Sequence, residues 1–132
     1  MLPMLIHGIL NPHINSLVAR VRHTNMLVIA DRGFPFWPMI ETVDISLVDE
    51  VPTVLQVFNA IQPNFTIQEI IMANEFCETN PVDVREAFAK ATAGHQVTYE
   101  PHIELKKRIP WAIGLIRTGD TVQYANMILI SG

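Results

Sequence analysis

The sequence predicts a single α/β domain, in which helices cover a β-sheet. Three observations support this fold class. Helix-like and strand-like patterns alternate along residues 1–132. A chain of 132 residues with 49% apolar residues has the size and composition of one compact domain. No repeat, low-complexity tract or linker divides the chain, so we expect one domain over residues 1–132.

The first two elements are an amphipathic helix and a buried strand. Between Asn11 and Asn25, apolar residues recur at the spacing of a helix, at Ile14, Leu17, Val18 and Val21. Residues 26–30 are an unbroken apolar run closed by Asp31-Arg32-Gly33, which is typical of a strand covered on both faces. Asp31 therefore follows the carboxyl end of a strand, where open α/β sheets usually bind ligands.

The middle of the chain contains strand patterns and one clear helix. Residues 40–47 are a weak strand candidate, and the β-branched run at 53–58 predicts a further strand. Residues 67–76 fit either a helix or a strand, and we prefer a strand. Asn80-Pro81 predicts an N-cap and a proline at the first helical position, followed by a helix that ends at Gly94.

The last third of the chain continues the alternation. Residues 96–100 predict a strand, and residues 101–108 predict a short basic helix that Pro110 stops. Two strand-like runs follow, at 112–117 and 126–130, and the turn residues Thr118-Gly119-Asp120 lie between them.

Composition excludes several classes of protein. A formal net charge of -4 disfavours binding to nucleic acid. The single cysteine, Cys77, excludes an intramolecular disulfide and a thiolate zinc site, and it suits a reducing compartment such as the cytoplasm. The longest uncharged run, between Glu50 and Glu69, is broken by prolines and amides, so no membrane segment is predicted. Residues 1–10 are apolar but lack a basic leader, so secretion is not expected.

Known catalytic motifs are missing, and a set of polar residues at element ends remains. The histidines lack zinc-site spacing, and neither a glycine-rich phosphate loop nor a nucleophile elbow occurs. Histidine is the usual acid or base near neutral pH. Each residue of the set also has a structural interpretation as a surface, turn, capping or core-edge residue. The candidates are His23, Asp31, His102, Lys106, Tyr124 and Asn126.

Two segments, residues 23–31 and residues 116–129, closely resemble the D-ribose pyranase and L-fucose mutarotase family. The likeness extends over nearly the whole chain, from Gly8-Ile9-Leu10-Asn11 to the terminal strand. It implies a three-layer α/β/α domain with a mixed sheet. It also implies an enzyme without cofactor or metal that interconverts cyclic forms of a free monosaccharide, and that assembles into a homo-oligomeric ring, typically a decamer.

The resemblance implies a role for each candidate residue. His23 matches the acid/base histidine, Asp31 a sugar-binding carboxylate and His102 a further sugar contact. Tyr124-Ala125-Asn126 matches the segment that closes the sugar pocket, and Lys106 is included as a sugar contact. Ring opening of a hemiacetal needs one proton delivered and one removed, which these residue types can perform.

The resemblance leaves the sugar open. Tyr124-Ala125-Asn126 is nearer to the ribose branch, whereas Arg22, Arg32 and Trp37 depart from it. Arg32 could pair with Asp31 or recognise a more oxidised or phosphorylated sugar, and Trp37 could add a stacking face. Three alternatives remain: a mutarotase for L-fucose or another aldose, a non-catalytic sugar-binding or transport accessory protein, and a metal-dependent hydrolase or isomerase that uses His23, Asp31 and His102.

Overall fold

A computed structural model describes residue 5 and residues 7–132 of the chain. The apolar stretch at residues 1–10, for which the sequence predicts no leader function, lies partly outside these residues. The strands are β1 (Met26–Ala30), β2 (Glu41–Asp44), β3 (Ile67–Ala73), β4 (Val97–Glu100), β5 (Gly114–Arg117) and β6 (Met127–Ser131). The helices are α1 (Pro12–Ala19), α2 (Val54–Ile61), α3 (Asn74–Thr79), α4 (Val82–Ala91) and α5 (His102–Arg108), with short 3-10 turns at Gln62–Asn64 and Ile109–Trp111.

The six strands form one mixed sheet in the order β2-β5-β1-β6-β3-β4. Strands β2, β5 and β1 are mutually parallel, β3 is parallel to β4, and β6 runs antiparallel to both of its neighbours, β1 and β3. Because of this direction, the start of β6 lies beside the carboxyl ends of β1 and β3. The prediction of a mixed α/β sheet is confirmed.

Apolar layers cover both faces of the sheet. Along β1, Leu27 and Ile29 belong to one buried cluster, and Val28 belongs to the cluster on the other face. This alternation follows from the two-residue period of a strand. The first cluster includes apolar residues of α1, α2, α3 and α4, whereas Leu105 of α5 packs in the second. The two clusters give the three layers that the resemblance implies.

The strand predicted at residues 53–58 is wrong, because this segment forms helix α2. Thr53 and Gln56 make a capping box, in which each side chain accepts a hydrogen bond from the other's backbone N–H. Val54, Val57, Phe58 and Ile61 are all buried, at the spacing of one helix face. Asp120 reinforces this start of the helix, since its Oδ2 accepts from the Val54 N–H at 2.8 Å.

Two helix boundaries also differ from those predicted. The first helix spans Pro12–Ala19 rather than continuing towards Asn25, and Asn11 caps it by accepting from the N–H groups of His13 and Ile14. Asn80 does not cap α4. Its side-chain amide instead donates to the carbonyls of Phe76 and Gln123, so it joins the end of α3 to a distant loop.

The remaining elements follow the sequence patterns closely. The preferred strand at 67–76 is correct up to Ala73, after which the chain turns into α3. The predicted strands at 40–47, 96–100, 112–117 and 126–130 correspond to β2, β4, β5 and β6. Among the described residues, none of the helices has both the length and the apolar character needed to cross a bilayer.

Candidate active site

A cleft of about 390 Å³ opens at the sheet edge where β1 ends and β6 begins. Asp31 follows β1 directly and Asn126 precedes β6 directly. The antiparallel register pairs Ile29 with Met127. Asp31 and Asn126, which lie just beyond this pair, therefore meet although they are 95 positions apart. The Asp31 N–H donates to the Asn126 Oδ1 at 2.8 Å. The lining residues are Asp31, Gly33, Phe34, Pro35, His102, Gln123, Tyr124 and Asn126.

The Asp31 carboxylate is a half-buried hydrogen-bond acceptor in the cleft. Burial raises its pKa above the ordinary value for aspartate, and the buried Asp120 nearby adds to this effect. Backbone N–H groups of Gly33 and Phe34 oppose the rise, and the Gly33 N–H donates to Oδ1 at 3.0 Å. Asp31 therefore acts both as a turn-forming residue and as an acceptor facing the cleft.

His102, the first residue of α5, lines the same cleft as Asp31. Its ring contacts Tyr124 edge-on, with 5.0 Å between the ring centroids, and contacts Phe34 at 5.9 Å. Its Nε2 atom is buried and has no hydrogen-bond partner in the described part of the chain. Burial lowers the pKa of His102 below the ordinary histidine value, and Lys106 lowers it further, while Glu75 acts in the opposite direction. The lowered pKa favours the neutral form of the imidazole near pH 7.

The segment Tyr124-Ala125-Asn126 closes one side of the cleft. Tyr124 has a φ of 56°, a left-handed conformation that is uncommon for a large side chain and tends to occur at functional sites. Ala125 is fully buried in the core behind the cleft and is not among the residues that line it. Asn126 is 2% exposed and reaches the cleft beside Asp31.

Arg117, at the end of β5, holds the loop that follows β1. Its guanidinium lies 3.5 Å from the carbonyl oxygen of Asp31, 3.2 Å from that of Arg32 and 3.3 Å from that of Pro35. The guanidinium presents several N–H donors in a fixed plane, which suits a loop with several free carbonyl groups. This contact fixes the floor of the cleft on the Asp31 side.

Besides Ala125, two predicted site residues, His23 and Lys106, lie outside the cleft. His23 is exposed in the turn before β1, where the Thr24 N–H donates to the Ser131 carbonyl at the end of β6. Five residues of strand, at about 3.3 Å per residue, separate this turn from Asp31 by about 16 Å. Lys106 lines a neighbouring groove together with Trp37, and Pro35 lies between that groove and the cleft.

Comparison with known proteins decides the family. The sequence profile described as the RbsD / FucU transport protein family matches residues 4–132. The chain belongs to the RbsD/FucU family. This assignment confirms the resemblance that the sequence indicates in its first and last strands.

Members of the RbsD/FucU family match the chain over nearly its full length. The chain is 38% identical to a D-ribose pyranase of Geobacillus kaustophilus, and the matched region covers 95% of this chain and 91% of the relative. A D-ribose pyranase of Laribacter hongkongensis is 34% identical, with 96% and 95% covered. The structure of Bacillus subtilis RbsD complexed with D-ribose superposes with a TM-score of 0.89, at 29% identity over 98% of each chain. A Streptococcus pneumoniae fucose mutarotase in complex with L-fucose shares the fold, with a TM-score of 0.81 at 19% identity over 97% of this chain and 98% of that one.

None of the three residues that the sequence analysis sets apart from the ribose branch lines the cleft: Arg32 and Trp37 lie beside it, and Arg22 lies at the far end of β1. Arg32 does not pair with Asp31, because it makes an exposed ion pair with Asp49 at 2.8 Å. Trp37 packs against Phe34, with 6.1 Å between centroids, and faces the neighbouring groove. Arg22 is exposed and donates to backbone carbonyls of its own turn.

Sequence reasoning missed several lining residues. Gln123 gave no signal, since a glutamine in a loop has no pattern that marks it. Phe34 and Pro35 belong to an aromatic loop in which the sequence indicates a functional role only for Trp37.

For the metal-dependent alternative, the described residues contain no cluster of three or more potential ligands, and His23 is distant from Asp31 and His102 within one chain.

Proposed function

We propose that the chain is a cofactor-free isomerase that interconverts the pyranose and furanose rings of free D-ribose. The observation that carries the proposal is the convergence of Asp31, His102, Tyr124 and Asn126 in one cleft of an RbsD/FucU chain. Several relatives that are at least 30% identical over nearly the full chain bear the name D-ribose pyranase, which supports ribose as the substrate.

The reaction breaks one C–O bond and forms another, and both steps need only proton transfers from the protein. A base removes the proton of the anomeric hydroxyl, the bond between C1 and the ring oxygen breaks, and an acid delivers a proton to that oxygen. The resulting open-chain aldehyde closes again through a different hydroxyl, which loses its proton while the carbonyl oxygen gains one. Pyranose thus becomes furanose, and no atom or electron is gained or lost overall.

The cleft offers suitable partners for each part of a sugar. Asp31 accepts hydrogen bonds from two sugar hydroxyls, and the Asn126 amide donates to a third. Tyr124 presents its ring to a C–H face or its hydroxyl to the network. The neutral His102, whose Nε2 has no protein partner in the described residues, exchanges a hydrogen bond with the sugar. Lys106 acts from the rim of the cleft as a donor to an outer hydroxyl.

His23 is the acid/base residue in this proposal, and a second copy of the chain supplies it. Within one chain His23 lies at the opposite end of β1 from Asp31, so it reaches a cleft only across a contact between subunits. Exposed apolar side chains support self-association, since Trp111 is 80% exposed, Leu47 76% and Ile103 63%. We propose a closed ring, a decamer, as the assembly and the cytoplasm as the compartment.

One alternative is a sugar-binding accessory protein of a transport system. The description of the family as transport proteins favours it. Such a protein would keep the cleft and bind ribose, but it would not change the rate at which the ring forms interconvert. L-Fucose is the alternative substrate, because the fold is shared with a fucose mutarotase.

Saturation-transfer NMR tests the proposal. We expect the protein to accelerate exchange between ribose pyranose and furanose, more strongly than it accelerates anomer exchange of L-fucose, and to keep this activity after chelation. Binding of ribose without acceleration would favour the accessory protein. Activity lost on chelation and restored by a metal would favour the metal-dependent alternative.

A further inference from the structure

A second carboxylate, that of Glu75, lies behind the cleft and does not line it. Glu75 stands in the first turn of α3, just after β3. Its two carboxylate oxygens lie 3.0 and 3.2 Å from the backbone nitrogen of His102, to which they act as acceptors. A side chain of α3 therefore holds the first residue of α5.

The sheet register explains why these two residues meet. Strands β3 and β4 are parallel, and Ala73 pairs with Glu100 at their ends. Glu75 and His102 each lie two positions beyond this last pair. The segments that follow β3 and β4 leave the same sheet edge in the same direction. Glu75 in one segment therefore reaches His102 in the other.

Helix α5 needs this contact because its own N-cap residue provides no side-chain acceptor for the first N–H groups of the helix. Pro101 occupies the cap position and has no side-chain acceptor, and no side-chain cap bond is made there. The first N–H groups of a helix otherwise lack partners, and a negative charge near them is favourable. Glu75 supplies both an acceptor and the charge from another element.

We propose that Glu75 is a positioning residue for the sugar reaction, which fixes the backbone of His102 and so holds the imidazole against Tyr124 inside the cleft. This role rests on the proposed function, because it gives His102 a task towards a sugar. Glu75 itself does not touch the cleft. Its influence on the reaction passes through the place and the charge state of His102.

Charged and titratable groups face His102 from each element around it. Lys106 lies one turn further along α5, Glu75 lies on α3, Tyr124 packs against the ring, and Asp31 shares the cleft. Burial lowers the pKa of His102 most, Lys106 adds to this lowering, and Glu75 opposes it. Removal of the Glu75 charge should therefore lower the pKa of His102 further.

NMR titration of the His102 imidazole and the rate of ribose exchange test the proposal together. Glu75→Gln keeps the size and one acceptor oxygen but removes the charge. We expect the pKa of His102 to fall and kcat to fall roughly 10-fold, with a smaller change in KM. Glu75→Asp keeps the charge but draws the carboxylate back from the His102 N–H, so the pKa should change less than in Glu75→Gln while kcat still falls about threefold. Glu78→Gln, an exposed change on the same helix, is the matched control and should alter neither.

The outcomes separate this role from the proposed function. A His102 pKa and a kcat in Glu75→Gln equal to those of the control would overturn the positioning role. If Glu75→Gln does not fold, as judged by circular dichroism, Glu75→Asp decides: a kcat unchanged by the shorter side chain would also overturn it. The titration needs no sugar, so a wild-type protein that exchanges no sugar would contradict the proposed function alone, while the pKa still tests the link between Glu75 and His102.

Discussion

Asp31 shows how a single residue combines two demands at this site. Its carboxylate accepts backbone N–H groups of its own turn, yet it is half-buried next to Asp120, and burial raises its pKa. A carboxylate that is harder to ionise in the folded chain than in the unfolded chain reduces stability wherever it is ionised. The position of Asp31 thus favours ligand binding over stability.

Replacement of Asp31 by Asn should separate these two effects. Because the pKa of Asp31 is raised in the folded state, the protonated side chain is compatible with folding at low pH. As pH rises through this pKa the side chain ionises, and the ionised form lowers the stability of the folded chain. Asp31→Asn should therefore raise Tm at pH 7, while KM for ribose rises about 10- to 100-fold through loss of charged hydrogen bonds. Thermal unfolding and exchange kinetics measure the two changes. A lower Tm together with an unchanged KM would contradict this account of Asp31.

At the scale of elements, the sequence predicts the strands better than it predicts how their ends meet. The apolar run at 26–30 identifies β1, and from it follows that Asp31 stands at a strand end. That Asn126 stands beside Asp31 depends on the antiparallel register of β6, which no local pattern specifies. The contact of Glu75 with His102 has no local sequence signal for a related reason, because Glu75 falls in residues 67–76, where a strand is followed directly by a helix.

The β-branched residues in 53–58 favour a strand, but the spacing of the apolar residues favours a helix, and this segment forms helix α2. The Thr53–Gln56 capping box was a readable signal, and the buried positions Val54, Val57 and Phe58 continue to Ile61 at helical intervals. Local β propensity is a weak guide where a cap and a helical period agree.

The capping box makes a prediction about stability. Thr53→Ala removes the acceptor for the Gln56 N–H, so we expect the free energy of unfolding to fall by about 1 kcal/mol. Thr53→Ser keeps a hydroxyl at the cap and should remain close to the wild type. Urea unfolding followed by circular dichroism measures both variants. Equal midpoints for the alanine and serine variants would show that the cap does not stabilise α2.

At the scale of the whole molecule, the sheet separates the proposed acid/base residue from the cleft. His23 precedes β1 and Asp31 follows it, so one chain presents them at opposite sheet edges. The resemblance to the family identifies both residues from sequence. Both residues stand in the segment 23–31, and the extended strand β1 between them keeps them apart within one chain. This separation leads to the proposal of a shared site.

Mixed oligomers test the shared site. His23→Ala and Asp31→Ala should each be nearly inactive at low ribose concentration. When the two are assembled together, about a quarter of the clefts should combine an intact Asp31 with an intact His23 from the neighbouring subunit. The exchange rate at low ribose should then recover to about a quarter of the wild-type rate. Mixtures in which no activity recovers would indicate that each site lies within one chain.

We propose that this protein opens the ring of a free sugar by acid/base catalysis that depends on His23. The most direct measurement compares ribose pyranose–furanose exchange and ribose binding in the wild type, in His23→Ala and in the control His13→Ala, an exposed histidine of α1. We predict that His23→Ala loses exchange by about 100-fold or more while its Kd for ribose stays within about threefold, and that His13→Ala behaves like the wild type. Exchange at the wild-type rate in His23→Ala would contradict the claim.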